Sequence, residues 1–386
     1  MKIKRTLFIF ITTIALLFNC GKSDETYTIE TKDGVNYVHN YGPLWGDEQK
    51  ISMEFVRQIG ELEGKDEKYL LYKPLKLIRD SYGNFYILDW GNYRVQKYDP
   101  DVKYLATFGR KGQGPGEFQS PGTIQLDSKD NLYVREQRIK GNIIVFNQDR
   151  REIRRITLEN SSAYDFLVLQ SDKIIAPVES DTALLGIFDA DGKINKQFVE
   201  RKSYSRDAEI KTQVSISFLL IANRFASALD KKDNIYLVFC IQNRIEKYSK
   251  NGVLIFKSDR NLNYGESTEA RIEKRMVSLF VPGEEPSEKV EMDIPVYNII
   301  YSFSGIGIDN KGRLWTATYM HQPDPDKEEE LSDYMQFEIF DSDGILLCYL
   351  PLPEKFTKNF TIYDDRIYFI DSENEHCVYE YKIIEK

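Results

Sequence analysis

Short runs of apolar and aromatic residues recur along the chain. Each is opened by an Asp with Gly or Asn and answered by a second run that ends in an aromatic plus Asp or Asn. The clearest copy reads Asp80-Ser81-Tyr82-Gly83-Asn84 into Phe85-Tyr86-Ile87-Leu88-Asp89, then Arg94-Val95-Gln96-Lys97-Tyr98-Asp99, then Tyr104-Leu105-Ala106-Thr107-Phe108-Gly109. Runs of this length bounded by turn-forming residues predict β-strands joined by tight turns. Further copies begin at Asp127, Ser171 (degenerate), Asp230, Asp309 and Asp364, and Arg244-Ile245-Glu246-Lys247-Tyr248-Ser249 nearly repeats Arg94 to Asp99. The second residue of each aromatic strand (Tyr86, Tyr133, Ile175, Tyr236, Trp315, Tyr368) recurs at spacings of 47, 42, 61, 79 and 53 residues.

Six units of one small sheet each cannot bury both faces alone. They must stack, and radial closure removes the exposed ends of the stack. The expected fold is therefore all-β, a six-bladed β-propeller. The sixth repeat stops near Ile384 without an outer strand, while Met53-Glu54-Phe55-Val56-Arg57-Gln58-Ile59-Gly60 is similar to the outer strand Ala106-Thr107-Phe108-Gly109. An N-terminal strand is thus expected to close the last blade. The organisation that follows is a leader over 1–19, Cys20 with a flexible tether over 20–35, and the propeller over 36–386, with insertions at 259–302 and 320–333. Within the first insertion, Ala270, Ile272, Met276, Val277, Leu279 and Phe280 among charges predict an amphipathic helix over 266–280. The second, Pro323 to Glu330, predicts a mobile acidic loop.

Several residues resemble a known family. Asp89-Trp90-Gly91-Asn92-Tyr93-Arg94-Val95, the loop Gly109 to Phe118 and Pro121-Gly122 resemble NHL repeats, specifically over 53–150, moderately near 230–257 and as pattern alone in the other blades. With the leader described below, the chain resembles the six-bladed propeller lipoproteins of bacterial envelopes. Asp89, Asn92 and Arg94 are expected to lock a turn; Arg135-Glu136-Gln137-Arg138 stands where Asp-x-x-Asn is expected. The glycine run Gly112-x-Gly114-x-Gly116 lacks a following helix N-terminus to cradle phosphate, so a blade-to-blade turn is expected. Asp189-Ala190-Asp191-Gly192 and Asp341-Ser342-Asp343-Gly344 read as hairpin turns rather than calcium loops.

Composition adds address and exclusions. Lys2-Ile3-Lys4-Arg5 followed by apolar Leu7 to Phe18 is too short to span a bilayer and reads as an export signal. Leu17-Phe18-Asn19-Cys20-Gly21 resembles a lipobox, which makes Cys20 the expected acylation site; Asn19 departs from the usual small residue. The acidic run Gly21 to Glu25 reads as tether or as a surface-export signal. The expected location is the bacterial cell envelope, outer membrane or cell surface. The formal charge of −9 becomes −12 without the leader, 49 Lys+Arg against 61 Asp+Glu, which opposes nucleic-acid binding. Three His and four Cys are present without C-x-x-C or H-x-x-x-H spacing, so no ordinary zinc site is legible. No cofactor is expected, and a carboxylate-held calcium is the one metal left open. Cys240, Cys348 and Cys377 are expected as apolar strand residues.

Propeller loops converge on the central channel at the face that carries the blade-to-blade connections. The candidate ligand-binding residues there are Trp90, Tyr93, Arg135, Arg138, Asn243, Tyr319, His321, Asp371 and His376, with Lys140 and Glu373 beside them. This mixture of rings and both charge signs suits a protein, peptide or glycan partner. No catalytic residue is assigned, since no nucleophile and base stand in a recognisable context. The leading expectation is a binding module without catalysis. The alternative implied by the resemblance is a propeller enzyme, a lyase or a metal-dependent lactonase-like hydrolase, with its site at the channel mouth.

Overall fold

The computed structural model describes residues 25–137, 142–161, 165–202, 222–265, 268–278 and 289–386. Three N-terminal strands come first: β1 (Tyr27–Lys32), β2 (Val35–Asn40) and β3 (Ile51–Ile59). Blade 1 is β4 (Pro74–Arg79), β5 (Phe85–Asp89), β6 (Arg94–Tyr98) and β7 (Tyr104–Phe108). Blade 2 is β8 (Pro121–Leu126), β9 (Leu132–Glu136), β10 (Asn142–Phe146) and β11 (Glu152–Thr157). Blade 3 is β12 (Leu167–Val168), β13 (Ile174–Pro177), β14 (Ala183–Phe188) and β15 (Ile194–Glu200). Blade 4 is β16 (Phe225–Leu229), β17 (Ile235–Phe239), β18 (Ile245–Tyr248) and β19 (Leu254–Arg260). The hairpin β20 (Thr268–Ser278) and β21 (Lys289–Asn298) follows. Blade 5 is β22 (Phe303–Ile308), β23 (Leu314–Tyr319), β24 (Met335–Phe340) and β25 (Leu346–Leu350). Blade 6 is β26 (Phe360–Tyr363), β27 (Arg366–Asp371), β28 (Cys377–Glu385) and β3. The protein is an all-β six-bladed propeller.

Side-chain alternation explains why the ring holds. In blade 1, Tyr86 and Leu88 pack toward blade 2, whereas Phe85 and Ile87 pack toward blade 6. Six clusters of buried side chains fill the six blade interfaces in this way. Burying such surface is the dominant favourable term in folding. Turns are fixed by carboxylates: Asp80 Oδ1 accepts from the Tyr82 and Asn84 amides at 3.0 and 2.8 Å, and the Asp127, Asp230 and Asp341 turns repeat the geometry. The Asp189 turn is built the same way, so both motifs weighed as calcium loops spend a carboxylate oxygen on their own backbone.

The N-terminal strand closes blade 6 as expected, β3 pairing antiparallel with β28 from Val378↔Ile59 to Glu385↔Ile51. The segment before it does more than a tether would. Tyr27–Lys32, inside the stretch expected to be flexible, is a strand, and the β1–β2 hairpin adds in parallel to β19 at the outer edge of blade 4. Its alternation of Tyr27, Ile29 and Thr31 with polar residues was too weak to read alone; the edge of blade 4 supplies the partner. The chain then crosses blade 5, where the Leu44 and Trp45 amides donate to the Leu346 and Leu347 carbonyls, before entering blade 6. Three blades are thereby strapped from outside.

The expected helix over 266–280 is also corrected. Residues 268–278 form β20, registered with β21 from Thr268↔Asn298 to Ser278↔Lys289. Short apolar spacings do not separate helix from strand, and a partner strand later in the chain decides the matter. The acidic loop is tied down at its end by α1 (Leu331–Tyr334), which has a capping box between Glu330 and Asp333. Cys348 and Cys377 are buried strand residues, Cys240 directly follows β17, and all three are free thiols.

Candidate functional site

Antiparallel blades place the connections between second and third strands on the same side as the blade-to-blade connections, here called the upper face. All the described candidates lie there, at the end of a second strand or in the connection after it. Arg138 and Lys140 lie outside the described residues, as does Cys20. At the lower face the first-turn loops interlock: Ser81 donates to Asp130 at 2.6 Å, and Asp364 takes ion-pair contacts with Arg79 at 3.9 Å and Lys231 at 3.7 Å.

Several candidates are committed to the fold. Asn92 Nδ2 and Arg94 Nε donate to Asp89 Oδ2 at 2.9 and 2.7 Å, and the Tyr72 amide donates to Oδ1 at 2.7 Å. This turn lock shapes the Trp90–Asn92 3₁₀ turn and leaves Tyr93 at φ 56° beneath the Lys111 ammonium. In blade 2, where the Asp is missing, Glu136 takes over and accepts from the Gln119 and Ser120 amides. Burial raises its pKa against those two donors. Asn243 Nδ2 donates to the Arg260 carbonyl at 2.6 Å. Tyr319 is buried between Tyr301 and Tyr334, receives Lys358 Nζ at 3.0 Å, and burial pushes its hydroxyl up to about 12. His321 lies within bonding distance of the Gln322 and Asp333 carbonyls, which together raise its pKa. Asp371 accepts from the Glu373, Asn374 and Glu375 amides. Burial works to raise its pKa, and those donors with His376 outweigh it, so the net shift is downward.

The remaining candidates behave differently. Arg135 is 2% exposed, and its Nε and Nη1 are buried without a hydrogen-bond partner. Trp90 Nε1 and His376 Nδ1 are likewise buried and partnerless, although His376 packs edge-on against Tyr72 at 5.1 Å. Arg244 and Glu246, also short of a hydrogen bond, satisfy each other as an ion pair at 2.8 Å, and so do Arg260 and Glu338 at 3.1 Å. Trp90, Arg135 and His376 belong to blades 1, 2 and 6, which are consecutive around the ring. Sequence reading missed the groups beside Arg135: Thr123 stands opposite it in register and donates to Asp165, and Lys76 lies 3.9 Å from the same carboxylate. No motif signals these residues, which come from three separate blades.

A cleft of about 450 Å³ opens between the N-terminal hairpin and the ends of blades 3 and 4. Its cations are largely engaged: Arg244 and Lys257 both face Glu246, and His39 faces Asp259 at 2.9 Å. Among the described residues, no three His, Cys, Asp or Glu side chains are grouped to hold a metal ion.

Fold and site together define a six-bladed propeller with a polar upper face. A family model described as 6-bladed beta-propeller, DUF5128, matches residues 50–274, more than half of the chain, and the chain belongs to that family. Among solved structures, a DUF4221-family member from Bacteroides vulgatus is 11% identical, covers 87% of this chain and 99% of its own, and superposes with a TM-score of 0.54. A putative exported protein from Bacteroides fragilis is 12% identical over 91% of this chain and 99% of its own, with a TM-score of 0.53. At such identities the likeness is one of fold. No curated protein matches the chain.

Proposed function

We propose that this protein is a lipid-anchored propeller of the bacterial cell envelope that binds a protein, peptide or glycan partner on its upper face without transforming it. The observation that carries the reading is the set of partnerless polar atoms on Trp90, Arg135 and His376 in three consecutive blades of that face. A buried polar group without a partner costs roughly 1–3 kcal/mol. Tyr86 Oη, Asp172 Oδ1 and Tyr236 Oη are partnerless as well, in blades 1, 3 and 4, and what supports an external partner is that the three upper-face groups fall in neighbouring blades. The basic, apolar, Cys-terminated leader supports the envelope location. Gly21 to Thr26 spans at most about 20 Å fully extended, which holds the blade 4 edge near the membrane.

Photo-crosslinkers at Gln113 and Glu373 on the upper face, and at Tyr82 on the lower, test the binding reading in intact cells. Adducts from the upper positions and not from Tyr82 are expected; equal or reversed capture defeats it. Cys20→Ser tests the anchor. Membrane fractionation and fatty-acid labelling unchanged from wild type would refute acylation. The enzymatic reading keeps one specific observation in its favour, the buried, partnerless Nδ1 of His376, held in a turn at φ 51°. A mass change in the captured partner that His376→Ala abolishes would favour it.

A further inference from the structure

We propose that Arg135 anchors a subsite for an anionic oxygen group, a carboxylate or a phosphate, carried by the partner of the upper face. The inference rests on the binding reading above and adds its chemistry. The strand position of Arg135 recurs in every blade. It is Leu88 in blade 1, Pro177 in blade 3, Val238 in blade 4, Ala317 in blade 5 and Ile370 in blade 6. Leu88, Val238, Ala317 and Ile370 all belong to the apolar clusters that glue one blade to the next. Only blade 2 places a guanidinium there, at the interface with blade 3. A charge held in such a position without an ion-pair partner destabilises the fold relative to an apolar residue of similar volume.

The neighbouring carboxylate does not resolve the problem. Asp165 Oδ1 is taken by Thr123 Oγ1 at 3.1 Å and by the Phe166 amide at 3.0 Å, while Oδ2 faces Lys76. Burial lowers the Arg135 pKa to about 10, with Asp165 opposing the shift, so the group remains a cation at neutral pH. Asp165 and Lys76 are partly exposed, and Asp165 is bonded to Thr123, the residue opposite Arg135 in register. Lys76 and Arg135 together leave one positive charge in excess over Asp165. A planar or tetrahedral oxyanion is the group that a guanidinium with unused N–H donors recognises best.

The test uses the mature soluble chain, with inorganic phosphate, acetate and glucuronate as probes against chloride at equal ionic strength. In wild type, one of the oxyanions should raise the melting temperature and shift the Arg135 Nε–H resonance saturably; the stronger of phosphate and the carboxylates names the source. Arg135→Leu, which copies blade 1, should be more stable than wild type in chloride and should lose the response. Arg135→Lys should weaken binding by at least about tenfold, because one ammonium cannot reproduce the fork. Absence of any saturable shift in wild type, or an undiminished response in Arg135→Leu, overturns the proposal. So does a marked loss of stability in Arg135→Leu under chloride, which would make the guanidinium structural. Crosslinking at Gln113 and Glu373 reads the face itself, so capture there with no anion response would reject this subsite while leaving the binding reading intact.

Discussion

Asn40 is the residue on which the N-terminal strap should depend most. It is 1% exposed, and its Nδ2 donates to the Asp259 carbonyl at 2.8 Å, Ser258 Oγ at 3.0 Å and the Gly344 carbonyl at 3.1 Å. Its Oδ1 accepts from the Leu346 amide at 2.8 Å. One side chain therefore joins the hairpin to the outer strand of blade 4 and the last turn of blade 5. Asn40→Ala removes these bonds and strands the Leu346 N–H in the interior. At about 1 kcal/mol for each of the three donated bonds and 1–3 for the buried donor left unmade, the cost is roughly 4–6 kcal/mol. Asn40→Asp should cost more, since a carboxylate would then face two carbonyl oxygens. Urea unfolding followed by tryptophan fluorescence reads the effect as a lower midpoint at unchanged slope. A loss below about 1 kcal/mol in Asn40→Ala, or an Asn40→Asp variant as stable as wild type, would show that the strap adds little to the ring.

Asp371 carries a pH signature. Its folded pKa lies below the unfolded value, so its contribution is present above the unfolded pKa and is lost as pH falls through the folded one. Asp371→Asn, which trades one acceptor for a donor against the Glu375 amide, should lose roughly 1–2 kcal/mol at neutral pH and less in acid. A deficit independent of pH would refute the charge argument. Burial pushes the Cys348 and Cys377 thiols up to about 11 and raises that of Cys240. None of the three should react with a maleimide before unfolding, and fast native-state labelling of Cys348 or Cys377 would contradict their place in the packed strands.

The blades were legible because their signals are local. An Asx turn and a period of two are complete within about ten residues, and Asp80 to Phe108 carried both. Ring closure by Ile51–Ile59 was legible for a different reason, since blade 6 was visibly one strand short. The hairpin over 268–298 and the strand at Tyr27 were not, because a strand without its partner has too weak a pattern to distinguish it from helix or tether. At the upper face, residue type alone could not separate Asp371 and Asn243, which serve the backbone, from Arg135, which does not.

The amino-acid order by itself thus determined the number of blades, their turns and the face on which their loops gather, all consequences of interactions between near neighbours along the chain. Tertiary structure alone decided that a hairpin from residues 27–40 clasps blade 4, and that the Arg135 guanidinium stands where five other blades place an apolar side chain. Both depend on what a distant segment brings alongside, and the burial and hydrogen bonding of a side chain are properties of that assembled surround.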